Sequence, residues 1–295
     1  MDVTVLCDAV AVFPEPVETA MPGWSAAHAA WTAASFPGNV AADGGWLLHF
    51  HSYLVTSDRG AVLVDTGIGP AGSQAAEWLS TAGRLPTLLG RAGVGVDEID
   101  TVILTHVHLD HAGWNISDDR PRFANATYVV QQAELDHLGD GPTYERYLQP
   151  IAAAGQLRAV PGSGPLDNLQ LLLTPGHTPG HQCVITDVAI LGGDVLVHPA
   201  QARWPNLTYL YEHTPAIATT SRQEVLALAA TTGTPIAASH PTHPLTNTAT
   251  PTAAAHPFTN TAAHPPTHAT TAEVTAPSNT PPIAPPTTPC PPHPL

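Results

Sequence analysis

Lysine is absent from this chain. All nine basic residues are arginine, the last of them Arg222, and they face 24 carboxylates, giving a formal net charge of −15 with histidine neutral. A surface of that sign repels nucleic acid and anionic membrane, because both polyanions are met by Lys/Arg patches. Cysteine is scarce as well. Cys7, Cys183 and Cys290 are odd in number, far apart, and form no C-x-x-C. No disulfide framework or thiolate zinc site is legible, which fits a reducing compartment. No apolar run approaches the roughly 20 residues of a membrane span. The N-terminus has Asp2 where a signal peptide would be basic, and it alternates like a strand. The expectation is a soluble cytoplasmic protein.

The composition changes near residue 241. Residues 1–240 are mixed and periodic. Beyond them the chain is Pro, Thr and Ala with scattered His, and Glu273 is its only charged side chain. Such a segment has too few large apolar residues to offset its ordering entropy, and its prolines oppose helix and central strand. Disorder is therefore expected over 241–295. The spacing of His243, His256, His264, His268 and His293 is irregular and reads as compositional drift rather than a metal site. An Ala-rich chain without Lys suggests a GC-rich gene, in which a frame shift would read out as such a tail. An out-of-frame or degenerate terminus from about 241 is the expectation, with His240 at its border.

Within 1–240 the pattern is a β-rich start followed by αβ alternation. Residues 2–12 read as a strand. Residues 46–57 and 61–67 read as two strands joined at Asp58-Arg59-Gly60. Further strands are expected at 101–105, 126–130, 168–176, 182–187, 188–194 and 235–239. Helices are expected at 72–83, 131–139, 142–155 and 221–233, the last opened by Ser221 and Glu224 at capping-box spacing and stopped at Gly233. Short apolar strands that end in polar clusters suggest sheets covered on one side by helices.

The stretch "LTHVHLDHAGW" crowds His106, His108, Asp110 and His111 into six positions after an apolar strand. Alternation puts His106, His108 and Asp110 on one side, and His111 turns with the chain. Buried without partners these groups would be expensive. A divalent cation resolves the cost, since imidazole nitrogen and carboxylate oxygen are zinc ligands. Candidate ligands recur at three more strand ends: His177 and His181, then Asp194, then His240. Seven ligands suffice for two metals that share one carboxylate.

The ordered set "THVHLDH", "TPGHTPGH", "GGD" and the late "SH", preceded by "VDTG" at 64–67, resembles the metallo-β-lactamase-fold hydrolase superfamily over roughly residues 45–240. The resemblance implies an α+β chain folded as an αββα sandwich, two mixed sheets face to face with helices outside and two divalent metals at one edge. Zinc is the expected ion, with iron or manganese also accepted. His106, His108 and His177 would hold the first metal. Asp110, His111 and His240 would hold the second, and Asp194 would bridge them. Asp65 matches a supporting aspartate behind the ligands, and Asp110 also matches the residue that orients the nucleophile or shuttles a proton. His181 is expected to be structural.

The bridging Asp194 and the lack of Lys argue against β-lactam hydrolysis; no extra domain or basic surface supports nuclease activity. "HLDHAGWN" and "GGDVLVHPAQ" look most like the bacterial branch near N-acyl-homoserine lactonases and methyl-parathion-hydrolase-like enzymes. The reading is a dinuclear-zinc hydrolase of a small-molecule ester or lactone. A glyoxalase II-like thioesterase and a phosphotriesterase are the alternatives; a catalytically impaired metal binder is the different-class one. Many lactonases carry a Tyr shortly after the bridging Asp. Here His198 is the nearest polar residue, and it reads as a loop histidine. The expected partner is a small molecule, with no nucleic acid and no membrane; a homodimer stays open.

Overall fold

Period-two alternation sorts the apolar residues of the long N-terminal strands onto two faces. Val3, Val5, Tyr53 and Val55 turn into one buried cluster, while Leu6 and Leu54 turn into another. Both faces of this sheet are therefore covered. The computed structural model describes residues 1–243 and 293–294. Its strands are β1 (Asp2–Val12), β2 (Leu47–Ser57), β3 (Gly60–Val64), β4 (Thr101–Ile103), β5 (Ile116–Ser117), β6 (Arg120–Pro121), β7 (Thr127–Gln131) and β8 (Leu157–Val160). They continue as β9 (Gly164–Leu166), β10 (Leu169–Leu173), β11 (Gln182–Ile185), β12 (Ile190–Gly193), β13 (Ile236–Ala238) and β14 (His293–Pro294). The helices are α1 (Val17–Ala20), α2 (Ala26–Ser35), α3 (Gln74–Trp78), α4 (Leu85–Arg91), α5 (Gln132–Leu138), α6 (Pro142–Tyr147), α7 (Gln149–Ala153) and α8 (Pro215–Thr232).

One sheet has the order β14-β1-β2-β3-β4-β7-β8 and the other β13-β12-β11-β10-β9. Both are mixed. β1, β2 and β3 pair antiparallel while β3, β4, β7 and β8 run parallel; in the second sheet only β12 and β13 are parallel. Between the sheets, Val64, Ile103 and Val129 meet Leu171, Val184 and Leu191. Outside the first sheet, Leu63, Val102 and Tyr128 pack under Leu85, Leu88 and Ile151 of α4 and α7. Outside the second, Cys183, Ile190 and Ile236 pack under Val225 and Leu226 of α8. This is the expected αββα sandwich. Full burial of each such side chain stabilises by about 1.5–3 kcal/mol, so the cores set the sheets' relative position.

Several element boundaries depart from expectation. The helix expected at 72–83 is only α3, capped where Ala76 N–H donates to Ser73 Oγ and ended at Ser80, which has φ 50°. The helix expected at 142–155 breaks at Leu148, because Pro150 lacks an N–H and starts a new helical turn. α8 begins at Pro215, six residues before the spacing that suggested a cap. Ser221 is inside the helix, where its hydroxyl donates to Pro175 O. α2 and α4 were not anticipated. Thr242 N–H and Oγ1 both donate to Asn39 Oδ1, and β14 pairs antiparallel with Thr4 and Val5 of β1. The disorder and frame-shift expectations for 244–292 and 295 lie outside the described residues. No helix among the described residues is long and apolar enough to cross a membrane.

The connection from β12 to α8 is braced by one buried cation. Arg222 donates to Val195 O, Pro205 O and Leu207 O, and pairs with Glu212. Breaking a buried pair by removing one partner strands the other charge. Arg222→Met should therefore lower unfolding free energy by about 3–5 kcal/mol in denaturant titration. A loss within experimental error would contradict the brace.

Candidate metal centre

Every candidate ligand follows a strand end of the sandwich at one edge. The loop after β4 delivers His106 and His108. There alternation stops. His111 N–H and Ala112 N–H both donate to His108 O (3.1 Å each), closing a turn. The expectation that His106, His108 and Asp110 share a side therefore fails at Asp110. The turn carries Asp110 and His111 toward a different set of partners. The β10–β11 loop brings His177, the end of β12 brings Asp194, and the end of β13 brings His240.

Two triads result. Nε2 of His106 and Nε2 of His177 each lie 3.0 Å from Nδ1 of His108. Asp110 Oδ2 lies 3.6 Å from Nε2 of both His111 and His240. Asp194 stands between them. Its Oδ2 is 3.3 Å from His177 Nε2 and 3.9 Å from His106 Nε2. Its Oδ1 is 3.3 Å from His111 Nε2 and 3.1 Å from His240 Nε2. One carboxylate thus offers a separate oxygen to each triad. All seven predicted ligands converge. Their donor set of imidazoles and carboxylates is the set a zinc-like cation takes. His111 Nε2 and Asp194 Oδ1 are buried and make no hydrogen bond among the described residues, so the residues present fit a pair of cations.

Partners behind the ligands fix their orientation. His111 Nδ1–H donates to Asp65 Oδ2 (2.8 Å), and Asp65 also accepts from Thr105 N–H and Oγ1. Asp65 has φ 58°, a conformation L side chains adopt at a cost, at the point where β3 hands over to the site. His240 Nδ1–H donates to His49 O (2.8 Å), and His240 O accepts from Asn39 Nδ2 (2.8 Å). The residue at the compositional border is thus held on two sides. His181 is structural, as expected: its Nε2 accepts from Asp194 N–H (2.9 Å), and burial draws its pKa down to about 4. His198 accepts from Ala200 N–H to open a short 3-10 turn and takes no part in the site.

Two residues at the site had no signal in the sequence. Glu134, buried in the first turn of α5, accepts from Val107 N–H (2.9 Å) and Gly180 N–H (3.0 Å). One carboxylate therefore ties together the two loops that supply the first triad. A Cβ on Gly180 would lie 2.2 Å from Glu134 N, so the close approach requires glycine. Tyr209 stacks on His177 with ring centroids 6.2 Å apart and planes 13° apart. Asp110 is 14% exposed against 4% for Asp194, which puts Asp110 at the mouth of the site.

The electrostatics differ between the triads. Burial, with neighbouring imidazoles adding to it, holds His106 well below the usual histidine range. Burial also lowers His108 and His177 against the pull of nearby carboxylates. Burial acts downward on His111 and His240 too, but Asp194 and Asp110 outweigh it and raise both. Asp194 is pushed up by burial, yet His240, His111 and His177 bring it well below the usual carboxylate range.

Comparison with known proteins agrees with this geometry. The family model of the metallo-beta-lactamase superfamily matches residues 51–240. The chain belongs to that superfamily. It is 30% identical over 156 residues to an N-acyl homoserine lactonase of Bacillus cereus, a match covering 46% of this chain and 57% of that protein. It is 32% identical over 105 residues to the N-acyl homoserine lactonase AttM of Agrobacterium fabrum, covering 30% and 37%. The chain thus spans little more than half the length of the first relative and little more than a third of the second. Among solved structures, hydrolase AbOPH of the beta lactamase superfamily superposes with TM-score 0.69 at 23% identity, covering 81% of this chain and 86% of that one. The dizinc quorum-quenching lactonase AidC superposes with TM-score 0.65 at 22% identity, covering 81% and 86%. At those identities the likeness is one of fold.

Two predictions follow from the geometry. Burial favours the neutral imidazoles of the first triad, whereas Asp194 and Asp110 favour the protonated forms of His111 and His240, whose protons a cation must displace. Divalent cations should therefore load stepwise as pH rises, the second equivalent at a higher pH than the first and with proton release. Calorimetric titration at several pH values checks this, and loading of both equivalents over the same pH range would contradict it. Glu134→Gln retains shape but turns an amide N–H₂ toward a backbone donor. It should weaken cation affinity about 10–100-fold with the far-ultraviolet spectrum unchanged. Wild-type affinity in that variant would remove Glu134 from the account.

Proposed function

We propose that this chain is a dinuclear metal-dependent hydrolase, with zinc as its ion, that cleaves a small-molecule ester or lactone. The observation that carries the reading is Asp194, whose two oxygens each face a separate triad of ligating side chains. In this assignment His106, His108 and His177 hold one cation, Asp110, His111 and His240 hold the other, and Asp194 is shared. A pair of divalent cations so held supplies Lewis acidity and activates water near neutral pH.

The chain's own residues do the rest. Asp65 holds the His111 ring so that Nε2 faces the site. His49 O does the same for His240. Asp110, the more exposed carboxylate, is placed to accept a proton from the attacking water and pass it to the leaving oxygen. Tyr209, buried and stacked on the His177 ring, holds that ligand's ring plane. An ester or lactone carbonyl is favoured over other substrates by the similarity to N-acyl homoserine lactonases. A chain with net charge −15 suits a neutral small molecule over a polyanion. Among the described residues, no disulfide joins the two buried cysteines Cys7 and Cys183, which supports the cytoplasm as the compartment.

The test is a substrate panel on zinc-loaded protein: N-acyl homoserine lactones, aryl esters, a thioester, a phosphotriester and a cephalosporin. The expected result is highest kcat/KM on lactone or ester, lost by at least about 10³-fold in Asp194→Ala. A preference for the thioester or phosphotriester would replace the substrate class. Activity that survives Asp194→Ala would overturn the shared-carboxylate mechanism.

A further inference from the structure

Cys7, His49 and His51 form a second group of convergent ligand atoms, away from the two triads. The register of β1 and β2 creates it. Cys7 lies directly opposite His51, and then the pairing slips at Asp8, so that Ala9 faces Phe50 and Val10 faces His49. The bulge keeps Cys7 beside the face from which both histidines project. All three side chains are buried, and one ligand atom from each lies within 4.8 Å of the others.

The chemistry at His49 is settled by its outer neighbour. Its Nε2 lies 2.9 Å from Gly38 O, and a carbonyl only accepts, so Nε2 carries the proton. Nδ1 therefore presents a lone pair, and it faces Cys7 Sγ at 3.8 Å. An outer carbonyl that fixes the tautomer of an imidazole is the usual support of a metal-bound histidine. The separation also fits: with metal–sulfur about 2.3 Å and metal–nitrogen about 2.0 Å, a trigonal angle places S and N about 3.7 Å apart.

We infer that Cys7, His49 and His51 bind a third cation, a single thiophilic d10 ion such as Zn2+ or Cu+, held by one thiolate and two imidazoles. Binding forms a metal–sulfur and two metal–nitrogen bonds and releases the thiol proton to solvent. The site is mononuclear and structural, since all its ligands are buried. It stands directly behind the second triad. His49 N–H donates to His240 O (3.3 Å), His51 N–H donates to Ser239 O (3.1 Å), and His240 Nδ1–H donates to His49 O. An ion on β1 and β2 therefore stiffens the strand end that positions His240. Neither cysteine spacing nor a His-x-His on a central strand signals it in the sequence, because Cys7 and His49 are 42 residues apart.

Cobalt substitution reads this site separately from the catalytic one. The two triads and Asp194 include no sulfur, so a thiolate-to-cobalt charge-transfer band can arise only where a cysteine ligates. Full-length protein carrying Cys290→Ser and loaded with Co2+ is expected to show that near-ultraviolet band. Adding Cys7→Ser should abolish it, keep the visible cobalt bands of the triads, and lower the zinc count of the zinc-loaded protein by about one. His49→Gln retains the thiol and serves if Cys7→Ser does not fold; it should weaken the band. Cys183→Ala should leave it intact. Anaerobic Cu+ added to cobalt-loaded protein separates the two ions: loss of the band identifies a monovalent site, persistence a divalent one. A cobalt-loaded protein without a thiolate band and without a Cys7-dependent equivalent of either Zn2+ or Cu+ would overturn the inference. So would a band that survives Cys7→Ser.

Discussion

The carboxylate of Asp194, buried among imidazoles from three separate loops, is the constraint on which the rest of the structure turns. Burial alone would protonate it; His240, His111 and His177 reverse that and keep it charged. Its position is set by backbone as much as by charge. β12 ends at Gly193 with φ 51°, where a Cβ would lie 2.7 Å from the Thr105 side chain and 2.8 Å from His181 Nε2. His181 then accepts from Asp194 N–H, so the group that looks like an eighth ligand instead aims the seventh. Five buried polar groups with His108 and Asp110 half-buried beside them are an expensive arrangement. In the proposed assignment, a carboxylate shared between two cations leaves none of them orphaned.

The scaffold serves that arrangement at several distances. Asp65 and Glu134 each join segments far apart in sequence, the first linking β3 to the His111 turn and the second linking the two loops of the first triad. Arg222 and Glu212 close the long connection after Asp194, so α8 covers the second sheet with that connection pinned beneath it. The parallel strands β3, β4 and β7 place their C-terminal ends on one edge, where polar residues can follow apolar runs without entering the core.

Much of this was legible in the chain. Ligands cluster after apolar strands, so "THVHLDH", "TPGHTPGH", "GGD" and "SH" marked the candidate ligands, and the family resemblance these motifs carry implied the sandwich. Partition of the ligands was not fully legible by local geometry. Period-two alternation grouped Asp110 with His106 and His108, whereas hydrogen bonds to His108 O bend the chain and send Asp110 to the other triad. Helix starts were missed where proline, not a side-chain cap, decides them, as at Pro150 and Pro215. Glu134, Tyr209 and the Cys7–His49–His51 group were invisible for one reason. Each acts through a partner on a different element, and each alone reads as an ordinary helix, loop or strand residue.

The account rests on Asp194 joining two ions, and anomalous diffraction from zinc-loaded crystals measures that directly. Two peaks are predicted about 3.5–4 Å apart on either side of the Asp194 carboxylate, one within the His106, His108 and His177 triad and one within the Asp110, His111 and His240 triad. A single peak at full zinc loading, or two peaks with Asp194 bound to only one of them, would contradict it.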